Sequence, residues 1–396
     1  MKRRILLCLA CVLAALCTAG CIYDYTPVVE GQKNLVVIEG DILVGSYTQV
    51  RLSTVRSLET PFSELPVTEW PAGARAWVEA SDGTRYADEN GSIDTRFADP
   101  DLEYRLLVTL GERSYISSWE KVLRSADIEE MTYSVSDDHQ TLTVAVTTRG
   151  DDTNRYYHWT AREDWEYHSP YSASFYFVPA GTYDHGEWYG QNAVVPFRDG
   201  ENTYYCWSTS RVEELLLASA EALSENRLVR HELYDINCHE RRISYIYSVE
   251  LTQEALSETA YRYWETMRKN SGDVGGLFSP EPFEMRGNLS CQEDPDAVVV
   301  GYISATVPSV SRLFIYGEDI GFYRMSEEDR KIYEINYISA EKREWARLFS
   351  RGIVPYMHTP MGGPDDFDWI DKRCVDCRVW GRGNKNKPDF WPNDHK

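Results

Sequence analysis

Short runs of alternating apolar and polar residues, separated by glycine- and aspartate-rich breaks, constrain this chain more than any other feature. Side chains on a strand point alternately to opposite faces, so each such run buries one face and wets the other. Leu35-Val36-Val37-Ile38-Glu39-Gly40 and the alternating residues 48–53 are the first two runs. Residues 74–80 follow, and Asp82-Gly83 is a strong hairpin signal leading into Thr84-Arg85-Tyr86. Residues 104–110 and 113–119 then flank the turn Gly111-Glu112. Strands this short and closely spaced, with no helical period between them, predict a β-sandwich over residues 34–122.

A second set of strand-like runs covers residues 131–135, 141–147, 156–165, 204–207 and 243–251, then 298–304 and 312–316. It predicts a second sandwich over 123–316, with residues 211–219 also read as strand. Within it, residues 166–200 are rich in Tyr, Gly, Pro and Ser without a clean period and read as a long loop or loose hairpin. One helix is expected, over 253–270. Thr252 is its candidate cap, Leu256, Ala260, Tyr263, Trp264 and Met267 form its stripe, and Lys269 with Gly272 closes it. Trp264 is expected to pack on the second sandwich. Residues 317–396 carry little periodicity and read as an irregular extension, ending in a strap around Pro388-Asp389-Phe390-Trp391-Pro392 whose aromatics dock on the body. The fold class is therefore mainly β: two sandwiches, immunoglobulin-like or transthyretin-like, with one packed helix.

The first residues are of another kind. Lys2, Arg3 and Arg4 precede an uncharged apolar stretch from Ile5 to Leu16, and Thr18-Ala19-Gly20-Cys21 closes it with small residues before a cysteine. This is a lipoprotein leader in outline, with Thr18 where leucine is commonest, so residues 1–20 are expected to be removed and Cys21 to carry lipid. The stretch falls short of the roughly 20 apolar residues of a membrane-spanning helix. Acyl chains on Cys21 would be the membrane anchor, and residues 21–33 a tether.

The net charge is −22, and loss of the leader would leave 38 basic against 63 acidic groups. Nucleic acid is not an expected partner, because phosphate binding needs clustered Lys and Arg. Hydrophobic and charged fractions of 42% and 26% are those of a globular chain.

Outside the leader and Cys21, five cysteines remain: Cys206, Cys238, Cys291, Cys374 and Cys377. Outside the cytoplasm the expectation is two disulfides and one thiol, with connectivity open. Cys374-x-x-Cys377 also has the spacing of half a zinc site or a redox pair, but no histidine lies at a familiar distance and no βαβ pattern surrounds it.

Catalytic motifs are not evident: there is no Gly-x-Ser-x-Gly elbow, P-loop or Gly-x-Gly-x-x-Gly. His231, Cys238 and His239 form the nearest approach to a ligand cluster, but adjacent strand residues face opposite ways. Asp365, Asp366 and Asp368 read as a solvated turn. No metal or cofactor is expected. The best candidates for a ligand surface are Trp165, Tyr167, Tyr171, Tyr176, Trp188 and Tyr189, since aromatic faces stack on flat ligands and long loops carry binding residues.

Taken together, several segments carry a family resemblance. They are Leu35 through Gly40, Tyr205-Cys206-Trp207, Leu256 through Tyr263-Trp264-Glu265 with Lys269-Asn270, Gly275-Gly276-Leu277-Phe278 and Gly287-Asn288-Leu289. Val300-Gly301-Tyr302-Ile303-Ser304-Ala305, Cys374-Val375-Asp376-Cys377 and Lys387-Pro388-Asp389-Phe390-Trp391 complete them. The chain resembles the Bacteroidetes lipoproteins catalogued as domain of unknown function 4249. The resemblance implies an outer-membrane lipoprotein that serves as a binding or scaffolding accessory, with a TonB-dependent receptor as partner. It carries no catalytic residue. A glycan- or peptide-acting hydrolase with dispersed carboxylates and a purely structural spacer are the alternative readings.

Overall fold

The computed structural model describes residues 36–54, 70–272, 286–320, 331, 337–379 and 383–392. The leader, Cys21 and the tether lie outside these residues. Mainly β architecture is observed, in layers that each bury one face of alternating side chains.

The first core gathers Ile38, Ile42, Val78, Ile93, Tyr104 and Leu106. Around it runs a sheet in the order Leu289–Cys291, Arg113–Ser117, Glu103–Leu110, Arg75–Ala80, Arg85–Glu89, Ser92–Asp94 and Tyr47–Gln49. Smaller sheets close it: Val36–Glu39 lies between Val299–Val300 and Arg51–Thr54, and Ala305–Val307 lies between Leu123–Arg124 and Ile42–Leu43. The expected division put residues 289–307 in the second sandwich. Their strands pair with the first instead, and Leu289, Val299, Ile303 and Ala305 fill its core. Strand periodicity reports that a segment has a buried face, not which sheet it joins.

The second sandwich faces a three-stranded sheet, Ile128–Val135, Thr141–Arg149 and Arg227–Asn237, against a five-stranded one. In the latter Tyr156–His168 pairs with Tyr205–Arg211, Leu216–Ser219 and Ile246–Ala255, and Ser309–Tyr316 forms the far edge. The expected strand over 211–219 is thus two strands with a break between them. Glu163 is buried in this sandwich, where Arg242 Nη1 donates to both carboxylate oxygens at 2.6 Å and Tyr247 Oη donates to Oε1 at 2.5 Å. Replacing Arg242 by methionine would leave a buried carboxylate without its cation. A loss of roughly 3 kcal/mol is expected in urea unfolding, and an unchanged midpoint would contradict this account.

The helix spans Glu258–Gly272, not 253–270. Gln253, Glu254 and Ala255 are the buried end of the preceding strand, held by full pairing to Trp159, His158 and Tyr157. Capping falls to Ser257, whose Oγ accepts the N–H of Ala260 at 3.2 Å, while Thr252 sits in the strand. Ala260, Tyr261 and Tyr263 form the buried stripe, packed with Tyr156 and Leu217 of the second sandwich and Tyr302 from the segment that joins the first.

Residues 166–200 and the described residues of 317–396 are more regular than their sequences suggest. The strand Tyr156–His168 extends into the expected loop, which then folds as a two-tier hairpin, Phe175–Val178 with Ala193–Pro196 and Thr182–Asp184 with Glu187–Tyr189. In the C-terminal part Phe367–Asp371 pairs with Ile338–Ser339 and Ile353–His358, and the short helix Trp345–Ser350 covers them. Trp345, Phe367 and Trp369 share one core with Phe177 of the hairpin. The hairpin and the C-terminal sheet complete a shared core from segments far apart in the chain, a contact that no local window can detect. The terminal strap does dock: Trp391 is buried beside Trp207 and Ile246, its Nε1 donates to Glu166 at 2.8 Å, and Arg312 lies 3.6 Å from the Phe390 ring centre.

Candidate functional site

On the strand Tyr156–His168, Tyr157, Trp159 and Ala161 point into the second core. Alternation therefore turns His158 to the opposite face, toward the helix and the first sandwich. Glu254 is its direct cross-strand partner. The third member comes from the first sandwich. Asp41 follows Gly40, whose φ of +135° turns the chain between Val36–Glu39 and Ile42–Leu43. Ser304 N–H donates to Asp41 Oδ1 at 2.8 Å and Ile42 N–H donates to Ser304 O at 2.8 Å, which locks the carboxylate in place.

Gly40 is required here. A Cβ at this position would meet the backbone oxygen of Gln49 at 2.2 Å. Gly40→Ala is expected to destabilise the fold by roughly 2–3 kcal/mol through this clash and the positive φ. Chemical denaturation checks the value, and a neutral result would show that Asp41 is placed by something else.

His158 Nδ1 lies 3.4 Å from Glu254 Oε2 and 3.6 Å from Asp41 Oδ2. Both carboxylates are buried, and the His158 side chain is 13% exposed. Burial opposes the imidazolium, but hydrogen bonds to Asp41 and Glu254, and then their charges, outweigh it and raise the His158 pKa to about 10. Burial and then the charge of Asp41 push Glu254 up to about 7. Burial also works against the Asp41 charge, yet hydrogen bonds from His158 and Glu254 together hold its pKa below the ordinary value. At neutral pH the trio is an imidazolium between the Asp41 carboxylate and a Glu254 carboxyl group close to half protonated.

A cleft of about 740 Å³ opens onto these three residues. Its walls include Tyr47 and Arg51 of the first sandwich, Arg162 and Arg211 of the second, and Trp264 and Arg268 of the helix. The Trp264 ring stacks over His158 at 6.4 Å, and its buried Nε1 has no hydrogen-bond partner among the described residues. At the rim Arg51 and Arg162 approach Arg211, whose pKa is lowered first by burial and then by their charges.

The aromatic candidates do not build one platform. Trp165 and Tyr167 pack near the disulfide, with Tyr167 buried. Tyr171 joins the C-terminal core, and Tyr176 Oη donates to Asp184 at 2.5 Å. Trp188 and Tyr189 stand on the outer hairpin, Trp188 55% exposed and paired with Tyr183 at 4.9 Å.

The cysteine expectation also changes. Cys206 is joined to Cys377, while Cys238, Cys291 and Cys374 are buried thiols. Cys374 and Cys377 occupy successive short 3-10 turns, Lys372–Cys374 and Cys377–Val379, and face different clusters. Burial raises the Cys374 thiol to about 11. His231 stacks on Trp159 and His239 bonds Gln140, so the two histidines near Cys238 serve different contacts. Asp366 accepts the N–H of Gly363 and Asp368 the hydroxyl of Thr359, as in an ordinary polar turn.

Sequence reasoning did not find Asp41, His158 or Glu254. The available signals were a histidine and a glutamate inside buried strands and an acid directly after a glycine-ended apolar run. Three of the segments that carry the family resemblance meet at this point: the run ending at Gly40, the helix residues Tyr263-Trp264, and Gly301 to Ser304. Tyr263 Oη accepts the N–H of Gly301 at 2.8 Å and ties the last two together.

A mainly β protein with a charged cleft between two sandwiches is thus defined by the fold. The chain belongs to the family described as Domain of unknown function (DUF4249), whose model matches residues 22–312. The match includes Asp41, His158, Glu254 and Ser304, whereas the segments around Cys374 and Trp391 lie beyond it. No curated protein matches the chain.

Proposed function

We propose that this chain is a lipid-anchored protein of the outer membrane whose cleft binds a ligand on behalf of a partner, a TonB-dependent transporter. The observation that carries the binding reading is the cleft of about 740 Å³, walled by both sandwiches and the helix. A volume in this range suits a small ligand or a peptide segment. Arg51, Arg162 and Arg211 approach one another in a cleft that Glu39, Glu213, Glu214 and Glu250 also line, and Arg162 is paired with Asp164, so the arginines Arg51 and Arg211 are the ones that favour a ligand with a carboxylate or phosphate. The anchor rests on the leader pattern before Cys21, and the transporter on the family resemblance.

In a glycoside hydrolase two acids flank the scissile bond, whereas Asp41 and Glu254 are both turned onto the His158 ring, at 3.6 and 3.4 Å from its Nδ1. A pure spacer has no use for the cleft.

Metabolic labelling with an alkyne fatty acid, followed by pull-down from detergent-solubilised envelope, tests the proposal. Label lost in Cys21→Ser, recovery of a transporter with the wild-type chain and weaker recovery with Arg211→Glu are the expected results. An unlabelled wild-type chain that recovers no envelope protein would overturn it.

A further inference from the structure

We propose that Asp41, His158 and Glu254 form a binding site for a divalent first-row transition ion, with zinc as the representative case, open to the cleft on its remaining side. Among the described residues these three offer one nitrogen and two carboxylate oxygens within 4.8 Å of one another. A tetrahedral ion with bonds of ~2.0–2.1 Å requires donor atoms ~3.3–3.4 Å apart. The distances from His158 Nδ1, 3.4 Å to Glu254 and 3.6 Å to Asp41, need only a small contraction to meet that. The donor set also fits by charge, since two carboxylates and a neutral imidazole balance a divalent cation in a buried place.

Two further observations distinguish this trio from an ordinary buried ion pair. The Ser304 N–H that holds Asp41 Oδ1 supplies the outer hydrogen bond by which metal-binding carboxylates are oriented. The Ser304 hydroxyl, on a residue 4% exposed whose backbone N–H holds Asp41, has no hydrogen-bond partner among the described residues and so is an unspent polar group next to the ligand set in the chain. All three ligand residues line the cleft, which leaves the fourth position to water or to an anionic group of a bound ligand. The site draws one ligand from the first sandwich and two from the second. Metal would therefore also clamp the cleft walls together. This inference does not rest on the transporter partner and survives if that partner is wrong.

The test uses the purified full-length protein in detergent, stripped with chelator and then given Zn²⁺ or Co²⁺ alone. One equivalent of zinc per chain after dialysis, visible ligand-field bands with cobalt, and a rise in the thermal midpoint on adding zinc are the expected results. Asp41→Asn and Glu254→Gln preserve side-chain size, and each is expected to weaken zinc binding by on the order of 100-fold. Circular dichroism confirms that these variants are folded, and Asp365→Asn, in the exposed turn before Asp366, serves as the control that leaves binding unchanged. A folded wild-type chain that retains no metal and shows no cobalt bands would overturn the proposal. So would binding that persists undiminished in folded Asp41→Asn and Glu254→Gln.

Discussion

Raising the pH of metal-free protein from about 6 to 10 is expected to lower its unfolding free energy by about 4 kcal/mol through His158 alone. The folded pKa of about 10 lies above the ordinary 6.5, so between these values the folded chain holds a proton that the unfolded chain has released. The stabilisation is complete below 6.5 and is lost as pH rises through 10. Glu254 acts in the same direction over a lower window. Its pKa rises from 4.5 to about 7, so its share is present below 4.5 and fades as pH rises through 7. Asp41 acts oppositely, because its lowered pKa withdraws stability only as pH falls below the ordinary 3.8. Urea unfolding across this range, for wild type and His158→Leu, reads the effect of His158 together with the shifts it imposes on Glu254 and Asp41. Identical pH slopes in the two would show that His158 is not held as an imidazolium.

Cys206→Ser is expected to cost more than any other single change considered, up to about 5 kcal/mol. The bond closes a loop of 171 residues, and a longer loop forfeits more entropy in the unfolded chain when it is tied. Its position adds to the effect. Cys377 follows the C-terminal sheet and Cys206 lies in the strand Tyr205–Arg211, so the bond fastens the C-terminal unit to the second sandwich. Next to it Trp207 and Asn384 exchange both backbone hydrogen bonds at 2.9 Å, and Lys385 Nζ donates to the carbonyls of Asn202 and Tyr205 at 2.7 Å. Cys374→Ser should change stability far less, although its thiol is buried. Peptide mapping without reduction should link 206 to 377 and leave Cys374 open to alkylation only after unfolding. A 374–377 link would refute this assignment.

How far each feature could be read locally depends on what holds it. The strand around 156–165 was legible because its alternation is intact over many residues, and the structure extends it to His168. The helix start was misplaced because Thr252 can serve as a cap and Leu256 stands at helical spacing from Ala260 and Tyr263. Only pairing with His158 and Trp159 keeps 253–255 extended. The aromatics of 166–200 were visible as residues but not as contacts, since Phe177 completes its core with Trp345 and Trp369, far along the chain. The strap was readable because Phe390 and Trp391, next to prolines at a polar terminus, have no local partner and must find one on the body.

By itself the amino-acid sequence determined the mainly β class, about half of the strands, the leader pattern before Cys21 and the family, while strands such as Arg227–Asn237 went unread. What it determined follows from periodicity or from short contiguous signals. Tertiary structure alone decided which sandwich residues 289–307 complete, which cysteines join, and that Asp41, His158 and Glu254 meet. Each of those rests on contacts between distant segments, and alternation along a strand specifies only a face, never the partner brought against it.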